Sequence, residues 1–277
     1  MSSIRRPPHS NPLPEYMAAD ITPRVFAQSI QQQGCVLLRG VIPQSDLVVF
    51  QARAREAYAR RDAEFARGNM PEEFSRTMYR FGHVLGSELD APGEQFAIVQ
   101  QLVLKTKLIQ LLFGFYGSAV GFILNNCLPR RQDPQQLKNP NVPYHQDAAF
   151  MGDTFFILNA WTPLMMCGDD APGLEVLRNG TLTTLLHPPH WQNSDKTPYE
   201  QIAFEPDWVE QTYGLEKCWH PVMMPGDVLV FSNFTLHRTY HTSAMTEERI
   251  SLELRCAALT PQLEQSGWGI MKVEAAV

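Results

Sequence analysis

Tyr144-His145-Gln146-Asp147 is a short polar stretch between the Pro-rich loop Lys138-Asn139-Pro140-Asn141-Val142-Pro143 and the apolar run Ala148-Ala149-Phe150-Met151. In an extended strand side chains alternate between faces, so His145 and Asp147 point the same way with Cα atoms ~7 Å apart, while Gln146 points away. An imidazole and a carboxylate placed like this can share a metal ion. A third ligand has to come from downstream, and Leu236-His237 offers one just beyond the strand-like run Gly226-Asp227-Val228-Leu229-Val230-Phe231. Two His and one carboxylate on one face of a metal, with the other positions open, is the ligand set that non-haem Fe(II) oxygenases use.

Around this stretch the chain reads as short strands. Val120–Cys127, Phe155–Leu164, Gly173–Leu177, Cys218–Met223, Val228–Phe231 and Ile250–Leu259 are each β-branched or aromatic and bounded by Pro, Gly, Asn or Asp. Upstream the character is helical. Ile21-Thr22-Pro23 opens an amphipathic helix, with Thr22 as N-cap and Pro23 at the first helical position, that stops at Gly34. Cys35–Gly40 is a short β-rich run, and Pro43 to about Gly68 and about Glu94 to Tyr116 carry apolar residues at helical spacing. Helices first and strands afterwards predict an α+β layout, with helices packed on one face of a β-sandwich or barrel. The expected organisation is a single domain over 1–277: an irregular arm over 1–19, mostly helical support over 20–118, and a β core over 119–259. An insertion over about 181–217, with Pro188, Pro189, Trp191, Pro198 and Trp208, is of the kind that forms lids or substrate-contacting loops.

Bulk properties narrow the function. A chain of 277 residues with 44 % apolar and 19 % charged residues is of globular type. The net charge of -6 gives no electrostatic reason to expect nucleic acid as partner. Five scattered Cys, with no Cys-x-x-Cys pair, argue against a disulfide framework or a thiolate zinc site and fit a reducing, cytoplasmic setting. Residues 1–17 contain Arg5 and Arg6, but Pro residues follow and no apolar core, so they do not read as a secretory signal. The longest nearly uncharged stretch, Ile109–Leu124, is too short for a membrane span.

His237 is preferred over His241 as third ligand. It sits just beyond the strand after the Pro225-Gly226-Asp227 turn, whereas His241 shares its face only if extended structure continues through Thr239. His187 and His190 flank a Pro-Pro pair and read as surface or packing residues; His9, His83 and His220 carry no motif. Farther on, Arg249, Ser251, Glu253 and Arg255 share one face of a strand while Ile250, Leu252 and Leu254 share the other, as in a strand whose inner side lines a site.

In order, His145-Gln146-Asp147, Ala160-Trp161-Thr162-Pro163-Leu164, Gly226-Asp227 with Phe231, Leu236-His237 and then Arg249, twelve positions on, resemble the phytanoyl-CoA dioxygenase family of Fe(II)/2-oxoglutarate-dependent oxygenases. The resemblance spans roughly residues 120–258, with Cys35–Gly40 and the following helix similar to the family's N-terminal part. It implies a double-stranded β-helix (jelly-roll, cupin-like) fold and iron bound by His145, Asp147 and His237. It also implies 2-oxoglutarate and O2 as co-substrates and hydroxylation of a small-molecule C–H bond with release of succinate and CO2. By the same resemblance Arg249 pairs with the distal carboxylate of 2-oxoglutarate, a planar fork being well matched to a carboxylate, and Ser251 adds a second donor. Arg255 is the rival, six residues or ~20 Å along the strand, and with Glu253 nearby it reads as a structural ion pair. Asn126 and Thr162 occupy positions where the family often places donors to the co-substrate.

Two departures stand out. The family's Pro-Gly-Ser-His-like turn is replaced by Pro172-Gly173-Leu174-Glu175, and Asp147 stands where halogenating relatives carry Gly or Ala, which disfavours halogenation. Arg130, Arg131 and Arg178 are expected in loops that could reach a site mouth and suit an anionic substrate, with solvated surface positions the simpler reading. Homo-oligomerisation is left open. The alternatives are a jelly-roll metalloenzyme that does not use 2-oxoglutarate and a non-catalytic binding protein on the same scaffold.

Overall fold

The computed structural model describes residues 12–68, 99–134, 142–185 and 202–275. His9, His83, His187, His190 and the middle of the insertion lie outside the described residues. The major sheet runs in the order β1 (Glu15–Met17), β2 (Cys35–Arg39), β8 (Val228–Ser232), β5 (Leu158–Pro163), β10 (Arg249–Ala258), β3 (Ala119–Ile123), β11 (Ile270–Glu274), and β4 (Leu128–Gln132) also pairs with β10. A minor sheet has the order β7 (Cys218–Trp219), β6 (Gly173–Leu177), β9 (His237–Tyr240). The fold is the expected double-stranded β-helix with helices against one side.

Strand alternation explains the layers. In β2, Val36 and Leu38 turn to the helix side, where they join Leu158 and Ala160 of β5 and Ile250, Leu252 and Leu254 of β10. Cys35 and Leu37 turn inward and pack with Trp161, Leu229 and Phe231 against Leu174, Val176 and Trp219 of the minor sheet. Central strands buried on both faces carry continuous apolar runs, and polar residues on an inward position therefore mark the site.

Helix α1 (Pro23–Gln33) has the predicted boundaries. Thr22 is extended and its hydroxyl accepts from the Val25 N–H at 3.3 Å, while Gly34 ends the helix at φ 76, with its N–H on the Ile30 carbonyl. The helix buries Phe26 and Ile30 completely. Truncating Phe26 to Ala there costs about 3–5 kcal/mol. Helix α2 (Gln44–Ala66) inserts Leu47, Phe50, Ala54 and Tyr58 at helical spacing into the same core.

Other expectations change. The continuous helix expected up to Tyr116 is broken: a π-helical turn over Gln100–Leu104 precedes α3 (Lys107–Tyr116). Thr106 causes the break, since its side chain accepts from Leu108 N–H and donates to the Val103 carbonyl, which competes with helix continuation. The strand expected over Val120–Cys127 ends at Ile123 in a 3-10 turn, and β4 follows. Pro129 hid β4 from the sequence. A strand that pairs with a single neighbour tolerates a residue without an N–H, and among the described residues β4 pairs only with β10. No helix among the described residues is long and apolar enough to cross a membrane.

Candidate metal centre

His145 and His237 face each other as a single antiparallel bridge, each N–H donating to the other's carbonyl at 3.0 and 3.1 Å. This sets the rings side by side with centroids 4.2 Å apart. The Nδ1 of His145 lies 2.8 Å from the Pro143 carbonyl and that of His237 lies 3.0 Å from the Thr235 carbonyl. A carbonyl can only accept, so both Nδ1 atoms carry the proton and Nε2 is the donor nitrogen each ring turns toward the ligand group. Burial, with His145 beside it, pushes His237 down to about 3, which keeps that ring neutral.

Asp147 is not on a strand, as the sequence reading had it. Its backbone is helical (φ -61, ψ -27) and it opens α4 (Ala148–Met151), with the Met151 N–H on its carbonyl. The turn replaces strand alternation as the device that brings the carboxylate back to the imidazole. Oδ1 of Asp147 lies 3.4 Å from His145 Nε2 and 3.7 Å from His237 Nε2, is buried and has no hydrogen-bond partner. Donor atoms of His145, Asp147 and His237 all fall within 4.8 Å of one another, a set that could hold a metal ion. The residues fit an ion: two imidazole nitrogens and one orphaned carboxylate oxygen converge on one point. Gln146 points away, as expected, and ties Phe234, Thr183 and Leu185 to the site.

Oδ2 of Asp147 is turned from the imidazoles and accepts from Asn159 Nδ2 at 2.8 Å and from Arg255 Nη2 and Nε at 2.9 and 3.2 Å. Burial alone would raise this carboxyl; the Arg255 charge overrides it and holds Asp147 well below the usual carboxylate range. Arg255 also reaches Glu253 at 3.2 Å, which in turn pairs with Arg130 at 2.7 Å. Along the inward row, Arg130, Glu253, Arg255 and Asp147 therefore cancel.

Arg249 does not take part in that cancellation. It is 1 % exposed, its Nε and Nη1 have no hydrogen-bond partner, and the Ser251 hydroxyl beside it has none either. Its guanidinium lies over the Trp161 ring at 5.1 Å, and burial pulls its pKa down to about 10. A desolvated cation with open donors is costly, and a carboxylate would satisfy it. Arg249, Trp161, the three candidate ligands and Arg255 line one cavity.

The remaining predicted residues fall elsewhere. Thr162 pairs with Leu252, is buried on the helix side of β5, and does not line the cavity; the inward positions of that strand belong to Asn159 and Trp161. Asn126 sits in the turn Leu124–Asn126, and its backbone carbonyl touches the site by accepting from Arg255 Nη1 at 3.1 Å. Arg130 and Arg131 are on β4, buried, and Arg131 is paired bidentately with Asp62 at 2.7 Å. Arg178 donates to Gln33 and the Glu216 carbonyl. None of the three is a solvated loop cation. His241 lies outside the ligand group. Asn159 was missed, although a polar side chain at an inward position of an otherwise apolar strand was a readable signal.

No protein-family model matches this sequence, and comparison with curated proteins finds no match. Solved structures do resemble it. The non-heme alpha ketoglutarate dependent epimerase SnoN from nogalamycin biosynthesis superposes with TM-score 0.57 at 15 % identity, over 92 % of this chain and 85 % of that one. The carbocyclase SnoK from the same biosynthesis, also described as non-heme and alpha ketoglutarate dependent, gives 0.57 at 10 % identity over 92 % and 94 %. AviO1 from Streptomyces viridochromogenes Tue57 gives 0.54 at 16 % identity over 87 % and 96 %. At these identities the likeness is one of fold.

Proposed function

We propose that the protein is a non-haem Fe(II)/2-oxoglutarate-dependent oxygenase acting on a small molecule. The observation that carries the reading is the pairing, in one cavity, of the His145, Asp147 and His237 donor set with the unsatisfied guanidinium of Arg249. His145 and His237 would hold the iron through Nε2 and Asp147 through Oδ1. Arg249 and Ser251 would hold the far carboxylate of 2-oxoglutarate, orienting it within the cavity. Trp161, Leu174, Phe231 and Val142 line the same space and would shield it from water. When bound, the iron supplies oxidative decarboxylation of 2-oxoglutarate coupled to oxidation of a C–H bond, with succinate and CO2 as co-products.

Hydroxylation is the default outcome. The structural neighbours described as an epimerase and a carbocyclase support the wider class of C–H oxidations on this scaffold. Within the class, the motif order of the chain resembles that of the phytanoyl-CoA dioxygenase family.

Anaerobic addition of Fe(II) and then 2-oxoglutarate tests this. The expected result is a metal-to-ligand absorption band that needs both additions, and succinate release once O2 and a substrate are supplied. Metal binding without 2-oxoglutarate binding would instead support a jelly-roll metalloenzyme of another kind.

A further inference from the structure

The metal-facing carboxylate has two unlike oxygens. Oδ1 of Asp147 has no partner and faces both imidazoles, whereas Oδ2 accepts three hydrogen bonds, one from Asn159 and two from Arg255. Asn159 and Arg255 are direct cross-strand partners on β5 and β10. Both point inward from the two most heavily paired strands of the major sheet, so their side chains converge on one oxygen from fixed positions. The guanidinium is itself held on several sides, by Glu253, by the Asn126 carbonyl at 3.1 Å and by the Phe150 ring at 5.9 Å. That is more restraint than neutralising one carboxylate requires.

We propose that Arg255 and Asn159 form a clamp that withdraws Oδ2 of Asp147 from the metal, so that the carboxylate ligates through Oδ1 alone and a coordination position stays free for 2-oxoglutarate. The inference rests on the metal and co-substrate reading above. Carboxylates bind metals through one oxygen or two, and nothing in the Asp147 side chain itself selects the first mode. With three protein donors an octahedral ion keeps three positions, two for a chelating 2-oxo acid and one for dioxygen. A fourth protein donor, Oδ2, would occupy one of those. Arg255 is thus a positioning residue, acting through Asp147, and its task differs from that of Arg249 on the same strand.

The test is anaerobic calorimetric titration of the full chain, first with Co(II) as a redox-stable probe and then with 2-oxoglutarate. It compares wild type, Arg255→Met, Arg255→Lys and the near-isosteric Asn159→Leu. For Arg255→Met we expect Co(II) affinity within about threefold of wild type or tighter, because Oδ2 becomes a donor. Its 2-oxoglutarate affinity should fall at least about tenfold, in the range that loss of an outer partner costs a metal site. Asn159→Leu changes no charge and should weaken 2-oxoglutarate in the same direction by a smaller factor, which separates the clamp from simple attraction of a dianion. Arg255→Lys keeps the charge without the fork and should fall between.

Unchanged 2-oxoglutarate affinity in Arg255→Met and Asn159→Leu would overturn the proposal. So would a parallel loss of Co(II) and 2-oxoglutarate that tracks lost thermal stability, the mark of a merely structural pair. If Arg255→Met does not fold, Asn159→Leu and Arg255→Lys decide by the same criterion. Wild-type protein that takes up neither Co(II) nor 2-oxoglutarate would defeat the functional reading and the clamp with it, whereas wild-type binding that the variants leave unchanged would defeat the clamp alone.

Discussion

β10 carries the same residue in opposite states at two positions. Arg249 and Arg255 sit on one face of one strand, at 1 % and 4 % exposure, yet Arg255 donates to Asp147, Glu253 and the Asn126 carbonyl while Arg249 keeps Nε and Nη1 without partners. Burial is the same, so burial does not make the difference. What differs is whether the fold brings a carboxylate to the guanidinium, and a fold that buries a cation without one leaves room for a carboxylate from outside. The satisfied arginine shapes the metal ligand, and the unsatisfied one waits for the ligand of the metal.

The largest expected effect comes from breaking the element the two positions share, the metal. Asp147→Ala removes Oδ1 and strands Arg255 at once. Metal affinity measured by Co(II) titration should fall by more than the ~10–100-fold that loss of an outer partner costs. Retained wild-type affinity would mean that the ion, if any, is held elsewhere.

Next comes a direct contrast of the two arginines in the metal-free protein, read by thermal unfolding. Arg255→Met leaves buried carboxylates without their partner and should destabilise by about 3–5 kcal/mol. Arg249→Met removes an uncompensated buried charge and should be neutral or stabilising, offset by about 0.5–2 kcal/mol for the lost contact with Trp161. Melting temperatures should therefore move apart, at about 2–4 °C per kcal/mol for a chain of this size. With Co(II) bound, Arg249→Met should lose 2-oxoglutarate affinity by about 2–5 kcal/mol while keeping the metal. Equal destabilisation by both substitutions would erase the distinction.

Much of this contrast was legible in sequence, and its decisive half was not. The alternation in β10 put Arg249, Ser251, Glu253 and Arg255 on one face, and Thr22 and Gly34 fixed the ends of α1, because both rest on local rules of period and capping. The convergence of His145 and Asp147 was read for the wrong local reason, a strand, where the chain makes a helical turn. β4 was invisible because Pro129 and two arginines look like loop until β10 supplies the hydrogen bonds. Arg255 was read as an ion pair with Glu253; its bond to Asp147 joins residues 108 positions apart, and no periodicity encodes that. Thr162 was placed in the site by resemblance, whereas strand parity turns it to the helix side.

A smaller effect sharpens the Arg249 side. The Ser251 hydroxyl is fully buried and lacks a partner, so Ser251→Ala removes an orphaned polar group and should leave the metal-free protein at least as stable as wild type. If the hydroxyl donates to the co-substrate, 2-oxoglutarate affinity should drop by about 1 kcal/mol, roughly fivefold. Loss of stability without loss of affinity would place Ser251 in the fold and outside the ligand site.

The smallest expected effect on ligand binding, none at all, separates the two faces of β5. Thr162 also has a buried hydroxyl without a partner, but it sits with Leu252 on the apolar, helix-covered side. Thr162→Val keeps the shape and removes the orphaned polar group, so the protein should gain up to about 1–3 kcal/mol, the desolvation penalty of such a group. Co(II) and 2-oxoglutarate titrations should match wild type. A drop in 2-oxoglutarate affinity would show that the hydroxyl reaches the ligand after all, which requires β5 to slip by one residue, and such a slip would expel Asn159 and Trp161 from the cavity together.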